Sequence, residues 1–200
     1  MQSQQNDVSV TSGSTNTIYT PIQPAKTLNI RENPLKIDES IFYYLTHTYM
    51  NTLYMNDSKD MNDKAYELEK LGETLGRNIN ERVSVDLLEK LVKDKEKQDI
   101  KNLEYIKFLC KEFWIYVFGK AIDRLQTNHK GTFFMTDSNF KFLTRINGKK
   151  DETKAYLNFT MKFVKALIKG ALIAFSLDSE ITMESSNDIE YSFVIKVRES

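Results

Sequence analysis

The sequence predicts an α+β domain with four main helices and an antiparallel set of strands. Three observations carry that reading. Segments with helical apolar spacing fill the first part of the chain, short β-type runs separated by turn residues follow, and one more long helical segment precedes a closing strand pair.

Residues 1–37 are rich in Gln, Ser, Thr, Asn and Pro and offer little to bury. They read as a disordered tail, because so few apolar groups cannot offset the entropy of ordering. The folded domain is expected to span 38–200. Its first helix runs from about Glu39 to Met55, with Asp38 or Ser40 able to cap it. From Ser40 through Asn56 there is no charged residue. Phe42, Leu45, Tyr49 and Leu53 share one face, while Tyr43, Met50 and Tyr54, with His47 among them, share another. A helix apolar nearly all round is covered on more than one side. It is either a central core helix or one whose second face meets another subunit.

A second helix is expected from about Asp63 to Ser84, with the stripe Ala65, Leu68, Gly72, Leu75, Ile79 and Val83. Gly72 and Gly76 lie one turn apart beside it. Each glycine costs a helix about 1 kcal/mol against alanine, so the pair implies close approach of a neighbouring backbone. The run Lys93–Lys97 reads as a solvated helix end or loop. A third helix, about Ile100 to Phe118, has a narrow polar stripe of Glu104, Lys107 and Lys111, and Gly119 ends it.

Strands are expected at Ile122–Gln126 and Thr132–Thr136, joined by the turn residues Thr127 to Gly131, and again at Phe140–Arg145. A fourth helix, about Glu152 to Ser176, is apolar on two sides. Strands at Ile181–Glu184 and Tyr191–Val197 close the chain, the last with the period-two alternation of a half-buried strand.

Composition narrows the function. Lys plus Arg (28) equals Asp plus Glu (28), so no global field favours nucleic acid, and no aromatic interleaving of basic residues supports such a partner. Cys110 is the only cysteine, and a reducing, cytoplasmic setting is expected. The first seventeen residues lack both a basic group and an apolar run, which argues against a secretory or transit signal.

Catalytic chemistry finds little to work with. His47, His129 and Cys110 do not make a metal cluster. No G-x-G-x-x-G, P-loop or G-x-S-x-G motif occurs, so no cofactor is expected. Cys110 lies in an aromatic-rich helix, where burial makes a thiol inert. His129, in a turn, is the better candidate for an enzyme. Lys154, Lys162, Lys165 and Lys169 share one side of the fourth helix: a wet helix face, or a phosphate- or lipid-facing patch.

The stretch from Ile106 to Asp137 is similar to the subunit-6 branch of the TRAPP (transport protein particle) small-subunit family. Lys107, Phe108, Cys110, Lys111, Glu112, Phe113, Trp114, Phe118, Lys120, Ile122, Asp123, Leu125, Thr127, Asn128, His129 and Gly131 all fit its pattern. Weaker likeness covers Leu75-Gly76 through Glu81-Arg82 and the segment Ile168–Leu172. Gln126 departs from the pattern, which has Lys or Arg there, and Lys169 stands where it has Arg.

That resemblance implies four main helices packed on one side of a small antiparallel sheet, and a non-catalytic adaptor that pairs with a paralogous TRAPP subunit inside a larger assembly at ER–Golgi membranes. It implies an assembly that acts as an exchange factor for a Rab-type GTPase, with exchange performed by other subunits. A related subunit carries an acyl chain on a cysteine, and Cys110 does not match that position. The residues expected to meet the partner are Phe42, Leu45, Tyr49 and Leu53 from the first helix and Leu68, Leu75 and Ile79 from the second. An alternative from another class is an apolar small-molecule or lipid-binding domain walled by the third and fourth helices. Whether the free chain pairs with itself is left open.

Overall fold

The computed structural model describes residues 17–18, 39–87, 98–144, 146, 150–186 and 189–198. The alternation in Tyr191–Val197 becomes a strand, β5, with Tyr191, Phe193, Ile195 and Val197 buried and the residues between them less so. It pairs antiparallel with β3 (Thr132–Asp137) on one side and β4 (Ser179–Ser185) on the other. With β2 (Arg124–Thr127) and β1 (Thr17–Ile18) the sheet has five strands in the order β1-β2-β3-β5-β4. Phe133 faces Ile195 and Met135 faces Phe193, so the inward side chains of neighbouring strands stack into one apolar surface.

The helices cover that surface. They are α1 (Glu39–Tyr54), α2 (Met61–Val83), α3 (Gln98–Phe108), the π-helical segment Leu109–Phe113, α4 (Trp114–Phe118), α5 (Lys141–Thr144) and α6 (Lys150–Ile173). Asp60 starts α2 by accepting the backbone N–H groups of Asn62 and Asp63 at 2.7 and 2.8 Å. Lys64, buried in the first turn of α2, donates its ammonium to the Tyr54 carbonyl at 2.7 Å, so it satisfies the C-terminal end of α1.

The glycine pair in α2 does bring a backbone close. A methyl group at Gly76 would sit 1.9 Å from the Leu167 carbonyl oxygen, and one at Gly72 would sit 2.8 Å from that of Phe163. Gly170 of α6 answers from the other side, where a methyl would lie 2.0 Å from the Glu73 carbonyl oxygen. The α2–α6 crossing is set by these three positions.

Within the span of the expected third helix, the structure inserts a π turn. Its register lets the Cys110 carbonyl accept the Ile122 N–H at 2.8 Å, which joins the helix to the chain entering β2. Gly119 ends α4 in a left-handed conformation, as its position implied.

One expected strand is absent. Of the expected Phe140–Arg145, Lys141–Thr144 forms α5 instead, with the N–H groups of Leu143 and Thr144 both directed to the Phe140 carbonyl, and Arg145 lies outside the described residues. The physical reason is topological: β5 takes the edge of β3 that this segment would have needed. Residues Phe140, Phe142 and Leu143 then bury their side chains from a helical turn. Of the tail, Thr17 and Ile18 pair with β2, and the remaining positions of 1–37 lie outside the described residues, as does Lys93–Lys97.

Candidate docking surface

The motif that carries the resemblance builds structure. Asp137, at the end of β3, is fully buried, and a buried carboxylate is tolerated only when its oxygens are satisfied. The Trp114 indole N–H donates to its Oδ2 at 3.0 Å. The Lys120 ammonium donates to its Oδ1 at 2.7 Å, and the Asn139 N–H reaches the same oxygen at 3.0 Å. Lys120 also donates to Asp123 at 2.7 Å, and that carboxylate accepts the Ser138 N–H at 2.7 Å. One lysine therefore bridges two carboxylates and ties α4, the approach to β2 and the end of β3 together.

Burial alone would raise the Asp123 carboxyl. The Lys120 ammonium and the Ser138 N–H outweigh it and hold the group below the usual carboxylate range. Burial disfavours the Lys120 charge, yet its two carboxylate partners leave that ammonium above the usual lysine range.

The second half of the motif shapes the β2–β3 turn. Thr127 Oγ1 donates to the Thr132 carbonyl at 3.1 Å and accepts the His129 N–H at 3.1 Å. Asn128 Oδ1 accepts the N–H groups of Lys130 and Thr132 at 2.9 and 3.1 Å. His129 and Gly131 both adopt positive φ, and the Gly131 carbonyl accepts the Val197 N–H at 2.8 Å. Each named residue of Thr-Asn-His-x-Gly is thus placed by turn geometry. Among the described residues no cluster of His, Cys, Asp and Glu could hold a metal ion.

The surface expected to meet a partner lies on α1. Its inner side is Tyr43, His47, Met50 and Tyr54, the second of the two faces read from the sequence. His47 Nε2 donates to the Phe142 carbonyl at 3.1 Å, with its ring 4.1 Å from that of Tyr43. The outer side is apolar and exposed: Tyr44 is 69% exposed, Leu45 60% and Met55 65%, with Ile41 and Tyr49 beside them. Tyr66, on α2, is exposed too.

Of the seven expected contact residues, the structure brings Leu45 and Tyr49 to this surface. Phe42 is half-buried against Phe142. Leu75 and Ile79 are partly covered against the core. Leu53 and Leu68, at 5% and 0% exposure, are core residues, since they fall on the sides of α1 and α2 that turn inward. Ile41, Tyr44, Met55 and Tyr66 are exposed as well and stand outside the expected set, although the same charge-free segment holds the first three. Tyr49 also donates to Glu67 at 2.8 Å, and Glu67 is paired with Lys59, so a polar latch closes the seam between α1 and α2.

Comparison with known proteins decides what this arrangement belongs to. Residues 43–198 match the family described as Transport protein particle (TRAPP) component. The chain belongs to the TRAPP family. It is 30% identical over 165 residues to trafficking protein particle complex subunit 6B of Homo sapiens, covering 80% of this chain and 98% of that protein. It is 32% identical over 155 residues to the subunit 6b of Danio rerio, covering 74% and 90% of the two chains. These matches support the subunit-6 branch of TRAPP. A crystal structure of TRAPP subunit 3 from Naegleria fowleri, covalently bound to palmitic acid, shares the fold. Its TM-score is 0.58 at 13% identity, covering 81% of this chain and 98% of the other.

In this TRAPP subunit Cys110 is sealed in the π-helical segment, and burial pushes its thiol well above the usual range. Tyr105 stacks on Phe175 at 4.3 Å and Phe108 meets the same ring at 5.6 Å, so the third-helix and fourth-helix walls of the lipid-binding alternative touch each other there. The lysine stripe is not free of acids in space: Lys169 lies 4.0 Å from Glu73 of α2. No helix among the described residues is long and apolar enough to cross a membrane.

Proposed function

We propose that this TRAPP subunit is a non-catalytic adaptor that docks a paralogous TRAPP subunit on the outer face of α1, forming a heterodimer within a larger assembly. The observation that carries the reading is the exposed stripe Ile41, Tyr44, Leu45 and Tyr49, continued by Met55 just past the helix end, on a helix whose other side already fills the core. Contiguous exposed apolar area of this kind marks an interaction site, and tyrosine, methionine and aliphatic side chains without charge suit the centre of an obligate interface. The motif residues around Trp114, Lys120 and Asp137 hold the fold that presents it.

The assembly is a vesicle tether and an exchange factor for a Rab-type GTPase, peripheral at endoplasmic reticulum and cis-Golgi membranes and active in traffic between them. What supports this is membership of a family whose subunit-6 relatives are named as trafficking complex components. The exchange step itself is assigned to other subunits.

Expression of the chain with a TRAPP sibling subunit tests the docking. Tyr44→Asp combined with Leu45→Asp should leave the fold intact, because both side chains point to solvent, yet abolish co-purification. Undiminished co-purification with the folded double variant would overturn the reading.

A further inference from the structure

We propose that the N-terminal segment works as an intramolecular guard strand: Thr17 and Ile18 occupy the outer edge of β2 and withhold it from pairing with another chain. The strand order leaves two flanks to manage, since an uncovered edge offers a row of unpaired N–H and C=O groups. The β4 flank manages itself, with Glu180 and Glu184 exposed along it and the chain held by the Arg198 N–H on the Asp178 carbonyl at 2.9 Å. On β2 the only charge is Arg124, at its start. Gln126 and Thr127 are neutral, and these are the two positions that Ile18 and Thr17 cover.

The register identifies which groups are guarded. Asn128 N–H donates to the Thr132 carbonyl, so alternation turns the amides of Gln126 and Asn128 toward β3. The amides of Leu125 and Thr127 therefore face the outer edge, and Thr17 opposite Thr127 forms a pair that exchanges both hydrogen bonds. A ladder this short would not hold two separate molecules together. Here both strands belong to one chain, so the pairing is intramolecular and is spared the cost of bringing two molecules together.

Hydrogen exchange on the full chain tests the guard, using Thr17→Pro, which deletes the Thr17 N–H that faces Thr127. The Thr127 amide should exchange about tenfold faster or more in the variant. The Gln126 amide, held by β3, should keep its rate and report an intact sheet. The freed edge should also let the variant associate with itself at rising concentration, as read by light scattering. Adding Gln126→Lys, which places a charge on the edge, should suppress that association while the α1 face is untouched. An unchanged Thr127 rate would show that the segment does not pair there. A faster rate with no gain in self-association would show a strand that guards nothing, and either result overturns the proposal without bearing on the α1 docking surface.

Discussion

The Trp114 indole N–H points at Asp137 Oδ2 from 3.0 Å, linking a helix and a strand that stand 23 residues apart in sequence. Replacing Trp114 by Phe keeps an aromatic ring, removes the donor and leaves a small cavity where the rest of the indole was buried. A buried carboxylate left short of a partner costs about 1–3 kcal/mol, and for a domain of this size each kcal/mol lowers Tm by about 2–4 °C. Thermal unfolding followed by circular dichroism should show a loss of at least that size, with the native far-UV spectrum retained.

The Lys120 bridge gives stability a definite pH dependence. Asp123 is held below its ordinary pKa, so its contribution is complete above the unfolded value of about 3.9 and is lost as pH falls through the folded one. Lys120 is raised, so its share is complete below about 10.4 and fades as pH rises through the higher folded value. Denaturant titrations at several pH values should find both limbs shallower in Lys120→Met than in the parent chain.

Gly76→Ala should destabilise the fold although alanine favours a helix by about 1 kcal/mol. The added methyl would lie 1.9 Å from the Leu167 carbonyl oxygen, a backbone atom that moves only if α2 and α6 separate. Overpacking of this kind costs about 1–3 kcal/mol or more. Thr74→Ala, on the exposed side of the same helix, is the matched control and should be close to neutral in chemical denaturation.

Cys110 should be silent in the native state. Its thiol is buried and its ionisation disfavoured, so little thiolate is available to react. A thiol-reactive chromogenic disulfide at pH 8 should give no signal until denaturant is added, and then one equivalent.

Much of the architecture was legible because single residues had single explanations. Gly72 and Gly76 are poor helix residues, and only a neighbouring backbone accounts for both. The alternation of Tyr191, Phe193, Ile195 and Val197 admits one sheet register. By contrast, Phe140–Arg145 has apolar residues at spacings that suit a strand or a helical turn, and the choice was made by β5 occupying the edge of β3. The charge-free Ser40–Asn56 segment announced two covered sides but not their roles. Apolar residues stand on both, and only packing against Phe142 turned Tyr43 and His47 inward and left Tyr44 and Leu45 outside. The Lys120 bridge was illegible for another reason: the burial of Asp137 depends on Trp114 and Lys120, contacts distant in sequence.

The most direct test of the docking account is hydroxyl-radical footprinting of the chain alone and with a purified TRAPP sibling subunit. Oxidation of Tyr44, Leu45 and Met55 should fall sharply on mixing, while Ile115 and Ile189, exposed elsewhere, keep their rates. Unchanged oxidation of these three side chains in a complex shown to have formed would contradict it.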